Sequence, residues 1–196
     1  MNFLAHLYLS PEDEEIRFGN FIADSVKGKM FEVFGKGIKE GILFHRFIDQ
    51  YTDTHVMVKA SKERLSPTFG KFSGVIVDIY YDHFLATNWN NYHDLPLQAF
   101  ARQQYLLITN HYTLLPPRSK RIFPYMHSQD WLSNYADLVF LQRVFEGMSK
   151  RTSFDSQMEI ATSFLKDNYG AFSEEFECFF PEIMMATTHY LAHRMP

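Results

Sequence analysis

The stretch VIVDIYYDHFL, residues 75–85, decides the fold class. Its β-branched residues imitate a buried strand. Its length and the four-residue spacing of Asp78 and Asp82 favour a helix instead, predicted over about residues 72–89. Four residues turn an ideal helix by about 400°, so the two acids share one face, one turn apart. His83 falls about 140° from Asp78, so this helix does not aim all three groups at one point.

The flanking sequence reads the same way. Ser10-Pro11-Glu12-Asp13-Glu14 looks like a helix start, with a Ser cap, Pro in the first turn and acids at the positive end. That helix is predicted over 11–26, after a short apolar N-terminal one, NFLAHLYL, that carries His6. Further helices are expected at 37–51, at 54–65 (stopped near Ser66-Pro67), at 95–114, 120–127, 131–148 and 154–169, and at 173–193 with Pro181 as a kink or break. Nothing alternates as βαβ units or pairs as hairpins. The expectation is an all-α, single-domain helical bundle over residues 1–196.

Composition bounds the function. With 196 residues, 46% hydrophobic and 21% charged, the chain can bury its own core without a disulfide or structural metal. A net charge of −4 argues against a nucleic-acid binder. Cys178 is the lone cysteine, so there is no intramolecular disulfide and no thiolate metal site, and a reducing cytoplasm fits. The acidic turn after residue 10 does not read as a signal peptide, and no apolar run is long enough for a membrane span.

Three apolar segments carry the chemistry. Asn20 and Asp24 are four apart in FGNFIADSV; His45, Asp49 and Asp53 follow the same spacing in ILFHRFIDQYTD; Asp78 and Asp82 repeat it. Carboxylates among Phe, Ile and Tyr are costly unless paired, hydrogen-bonded or bound to metal. Several together repel, and a divalent cation removes that repulsion. Oxygen and imidazole ligands suit Mn²⁺, Fe²⁺ or Mg²⁺, with Zn²⁺ also open. The bland alternative is a core hydrogen bond for His45 and an ion pair of Asp49 with Arg46 or Arg17. His189 and His193 are also four apart, but without the Glu of a zincin helix.

MNFLAHLYLS (1–10), GNFIADSVKGK (19–29), GILFHRFIDQYTDTH (41–55) and VIVDIYYDHFLATNW (75–89), with the later DWL, MSKR and FFPE, resemble the acyl carrier protein phosphodiesterases. The resemblance implies a divergent relative of the HD-domain metal phosphohydrolases that prefers Mn²⁺ and hydrolyses holo-acyl carrier protein to 4′-phosphopantetheine and the apo-protein. It carries Asp24, His45, Asp78 and the Asp82-His83 pair into the site, with His6 next. Where typical HD proteins have His-Asp, this chain has Asp82-His83, so ligand roles do not transfer directly.

On that reading the metal ligands are drawn from His6, Asp24, His45, Asp49, Asp78 and Asp82. Asp24, His45 and His83 are the catalytic candidates, with His83 or His45 as the acid for the leaving serine. A divalent ion would acidify the attacking water. Asn20, Arg46, Lys27 and Lys29 are assigned to the substrate. Acyl carrier protein is acidic, and Lys27, Lys29, Lys36 and Lys39 form the preferred basic docking surface, ahead of Arg118, Lys120 and Arg121 or Lys150 and Arg151. The aromatic stripe Phe172, Phe176, Phe179 and Phe180 is core or the face of a homodimer. Two rivals are a phosphohydrolase of nucleotides or other small phosphoesters, and a silent carrier-protein-binding module.

Overall fold

The computed structural model of the chain describes residues 1–194, and every regular element among them is helical. The deciding segment forms α5 (Ser73–Thr87), in which every residue from Ile79 to Ala86 is buried. A helix apolar nearly all round is a core helix, which explains the strand-like composition. The first helix, α1 (Phe3–Leu9), packs on α5 and on α2 (Glu14–Ile22), and α2 packs on α3 (Lys36–Thr54). On the other side α4 (Val56–Phe69) joins α5 to the long C-terminal helix, α11 (Tyr169–Arg194). Between them in sequence lie α6 (Leu97–Asn110), α7 (Pro117–Ser128), α8 (Trp131–Asn134), α9 (Leu138–Ser149) and α10 (Ala161–Asp167).

Buried apolar side chains form one contiguous cluster from α1 to α11. Phe172, Phe176, Phe179 and Phe180 are fully buried in it. Phe172 and Phe176 meet the rings of Tyr80 and Tyr81 edge-on. That stripe is therefore core, not a dimer face. No helix is long and apolar enough to cross a membrane.

Several boundaries differ from the sequence expectation for local reasons. Asp13, not Ser10, caps α2, its Oδ1 accepting the Ile16 N–H at 2.9 Å. α4 runs through Pro67 to Gly70, which ends it at φ 50°, and α11 runs through Pro181. Both prolines face solvent, where the carbonyl deprived of its helical partner can bond water. The expected 131–148 helix divides into α8 and α9, with Asp137 capping the second through Val139 N–H. Most of the expected 154–169 helix is a 3₁₀ turn, Met158–Ile160, followed by the short α10.

The crossing of α2 and α3 positions the site. A Cβ on Gly19 would collide with the Ile38 carbonyl, and one on Gly41 with the Ile16 carbonyl. The two helices thus meet backbone to backbone. This close approach brings Asn20, next to Gly19, against His45, one turn beyond Gly41.

Candidate metal centre

Asn20 is the centre of the site and is fully buried. Its Nδ2 donates to the His6 carbonyl at 2.9 Å and to Ser10 Oγ at 2.8 Å. The amide orientation is thereby fixed, and Oδ1 faces two imidazoles. His6 Nδ1–H and His45 Nδ1–H both donate to it at 2.9 Å. The two rings stack 4.0 Å apart. With both Nδ1 positions committed as donors, each Nε2 faces the opposite side, the orientation that outer hydrogen bonds impose on metal-ligating histidines.

Carboxylates occupy that opposite side. Asp49 Oδ1 lies 3.3 Å from His6 Nε2 and Asp49 Oδ2 lies 3.2 Å from His45 Nε2. Asp24 Oδ1 is 3.3 Å from His45 Nε2. Asp24 reaches this point from the 3₁₀ turn Ala23–Ser25, not from a continued α2 as the four-residue spacing suggested. His6 Nε2 is buried with no hydrogen-bond partner despite the nearby carboxylate. Ligand atoms about 2.1 Å from one ion at right angles to each other are separated by about 3 Å, so these gaps suit neighbouring ligands of a cation. Among the described residues His6, His45 and Asp49 bring one donor atom each together, all within 4.8 Å of one another. The donor set, with its orphaned buried nitrogen, is consistent with a divalent cation.

Electrostatics point the same way. Burial and then repulsion from His45 lower His6 to about 4. Burial also disfavours charge on His45, but its contacts with Asp24 and Asp49 more than reverse this and raise it to about 9. The His45 contact draws Asp24 down. Partial burial raises Asp49, yet the two imidazoles hold it well below the ordinary carboxylate range. One proton on His45 therefore balances the acids when no metal does, and stacking against His6 forbids a second.

The family of acyl carrier protein phosphodiesterases matches residues 1–183 of this chain. The chain belongs to that family. Its relatives include the acyl carrier protein phosphodiesterases of Enterobacter sp. (strain 638), 32% identical over 94% of this chain and 96% of the relative. That of Serratia proteamaculans (strain 568) is 31% identical over the same shares. That of Salmonella agona (strain SL483) is 32% identical, again over those shares. No solved structure matches.

The other expected positions are not among the converging donors. Asp82 is not among the converging ligands. Fully buried, it accepts N–H bonds from Asn2 (3.1 Å), Leu4 (2.8 Å) and Ala5 (3.4 Å), the unpaired donors at the start of α1. Burial still pushes its carboxyl up to about 7. One turn earlier Asp78 accepts from the Met1 amino group at 2.7 Å. Both acids thus hold α1, and α1 carries His6. His83 faces away: its Nδ1 donates to the Tyr135 carbonyl at 2.8 Å and its Nε2 meets Tyr169 OH at 3.2 Å. Asn20 is too buried and too fully bonded to touch a substrate. Arg46 is spent on the loop after Asp24, donating to the Gly28 carbonyl at 2.7 Å and lying over the Phe31 ring. Asp53 pairs with Lys62 at 2.6 Å. Lys27 and Lys29 are exposed on the same loop.

A small recess of about 200 Å³ opens from His45, Asp49 and Asp24 and includes Thr52 and Asp78. Asp24 and Asp78 also line a larger trough of about 810 Å³ between α5, α7 and α9. This trough gathers Arg118, Arg121 and Arg151, from two basic groups far apart in sequence.

Proposed function

We propose that this chain is a metal-dependent phosphodiesterase that hydrolyses the bond between 4′-phosphopantetheine and the serine of holo-acyl carrier protein. The observation that carries the reading is the convergence of His6 Nε2, His45 Nε2 and Asp49 on one point, behind a single amide oxygen that fixes both tautomers. Family membership supports the substrate. His6, His45 and Asp49 would hold the cation, with Asp24 beside them. Imidazole and carboxylate without thiolate suit Mn²⁺, which is our assignment. The lone exposed Cys178 accords with a cytoplasmic protein, and the HD-like relationship belongs to the same reading.

When bound, the cation supplies Lewis acidity to the phosphoryl oxygens and acidifies water near neutral pH. The chain does the rest. Asn20 keeps protons on Nδ1 of both imidazoles, so both Nε2 lone pairs stay available. Asp24 is the more exposed of the two carboxylates, at the mouth of the trough, and takes a proton from the attacking water. Water oxygen bonds to phosphorus as the bond to the serine oxygen breaks. With both nitrogens of His45 engaged and His83 bonded to Tyr135 and Tyr169, no imidazole is left to protonate the leaving oxygen, which takes its proton from solvent at the open face. The test is to incubate metal-stripped protein with holo-acyl carrier protein, with and without Mn²⁺, and weigh the products. Mn²⁺-dependent loss of the phosphopantetheine mass, abolished in Asp24→Ala, is expected. No loss by a folded sample supplied with Mn²⁺ or Fe²⁺ removes the substrate assignment.

A further inference from the structure

The trough beside the centre has a chemistry of its own. Arg118 and Arg121 reach it from α7, and Arg151 comes from the end of α9. Arg118 Nη1 donates to the Asp24 carbonyl at 3.3 Å, which stations its guanidinium at the end nearest the metal centre. Among the described residues the guanidiniums of Arg121 and Arg151 have neither an ion pair nor a hydrogen bond. The acids lining the trough, Asp24 and Asp78, both sit at that same end. The rest of the lining is mostly apolar, with Val75, Ile79, Ile122 and Met148, and includes Tyr135 and Thr152. Its volume is that of a small-molecule site.

We propose that this trough binds the prosthetic arm itself. Arg118 grips the phosphate, and Arg121 and Arg151 donate to the amide carbonyls of the pantetheine chain as it runs toward Trp131. This rests on the proposed reaction for the identity of the ligand and deepens it by naming specificity residues. The match is one of pattern. The arm has an anion at one end, two amides along its length, a branched apolar segment between, and no positive charge. Three guanidiniums, those of Arg121 and Arg151 unpaired, in a mostly apolar trough complement those features. It also revises which basic residues matter, because Lys27 and Lys29 lie outside the trough and Arg46 is committed to its own loop.

The test needs no turnover. Titration calorimetry on the full chain with Mn²⁺ present compares inorganic phosphate with free 4′-phosphopantetheine. The arm should bind at least tenfold more tightly than phosphate, on the order expected for one hydrogen bond to a charged donor plus apolar contact. Arg121→Ala and Arg151→Ala should each weaken 4′-phosphopantetheine about tenfold and leave phosphate unchanged, whereas Arg118→Ala should weaken both. Circular dichroism checks the fold of each variant, and the exposed positions make loss of fold unexpected. Equal affinity for phosphate and the arm overturns the proposal. So does an effect of Arg121→Ala and Arg151→Ala on holo-acyl carrier protein binding with none on the free arm, which would assign these arginines to the protein surface. A chain that cleaves nothing can still pass this test, and an active hydrolase that holds the arm elsewhere fails it. Failure here is thus distinct from failure of the reaction.

Discussion

The α2–α3 crossing and the α5 face pose the same problem and answer it in opposite ways. Each sets an acid against the apolar interior, Asp49 half-exposed on α3 and Asp82 fully buried on α5. On α3, Asp49 faces the Nε2 atoms of two clamped imidazoles, and only an exchangeable proton on His45 balances it. On α5, Asp82 meets three backbone N–H groups at the start of α1, which compensate its burial without a cation. The first arrangement can take an ion; the second is already complete. Spacing in a sequence therefore reveals a buried charge but not the group that compensates it.

Exchanging the two roles by mutation would give the largest effects. His45→Ala should abolish Mn²⁺ binding in calorimetry and hydrolysis while the fold persists. Asp82→Ala should do the reverse, costing about 2–4 kcal/mol in urea unfolding by orphaning buried N–H groups, with Mn²⁺ still bound by the folded fraction. If Asp82→Ala folded stably and lost Mn²⁺ specifically, the division of labour drawn here would be wrong.

A smaller effect should come from the clamp. Asn20→Ala leaves both Nδ1 positions without their acceptor and frees the tautomers. Removal of such outer partners typically costs about 10–100-fold in metal affinity. Unchanged affinity would mean that the rings are held by packing alone.

The smallest effect is a pH slope in the metal-free protein. His45 titrates at about 9 when folded against an ordinary 6.5. Between these values the native state holds more protons than the unfolded chain, so stability must fall as pH rises, by on the order of 2 kcal/mol after allowance for solvent around Asp24 and Asp49. Below 6.5, His6, depressed to about 4, favours loss of stability on acidification. Asp82, raised to about 7, opposes it, and on the alkaline limb the Met1 amino group, held up by Asp78 against burial, adds to the His45 slope. Added Mn²⁺ should flatten or reverse that limb, because binding displaces the His45 proton. Thermal melts at pH 6.5 and 9 with equal midpoints would remove the proton-for-metal exchange.

Helicity was legible because it depends on local spacing, and α5 shows this despite its β-branched composition. The converging histidines were legible as candidates because His6, His45 and Asp49 stand out in apolar surroundings. The role of Asn20 was not. Its orientation depends on the His6 carbonyl and Ser10 Oγ, contacts made only after α1 has folded onto α2. Asp82 failed for the same reason, since its nearest donor lies 78 residues away in sequence. The trough was hidden because α7 and α9 supply its arginines separately, and the more local lysine cluster looked stronger. The glycines were in plain view inside the motifs, yet no sequence rule says that Gly19 and Gly41 face each other.

That pair has a further consequence. Where helices are separated by interlocking side chains, their spacing drifts as rotamers change or as neighbouring layers are rebuilt. Here Gly19 and Gly41 let main chain rest on main chain, a hard stop with almost no give. The gap between the clamp and the second imidazole is therefore gauged by bond lengths, not by soft packing. Repacking the aromatic interior around α11 should change how long the protein survives heating while the grip on its ion stays calibrated.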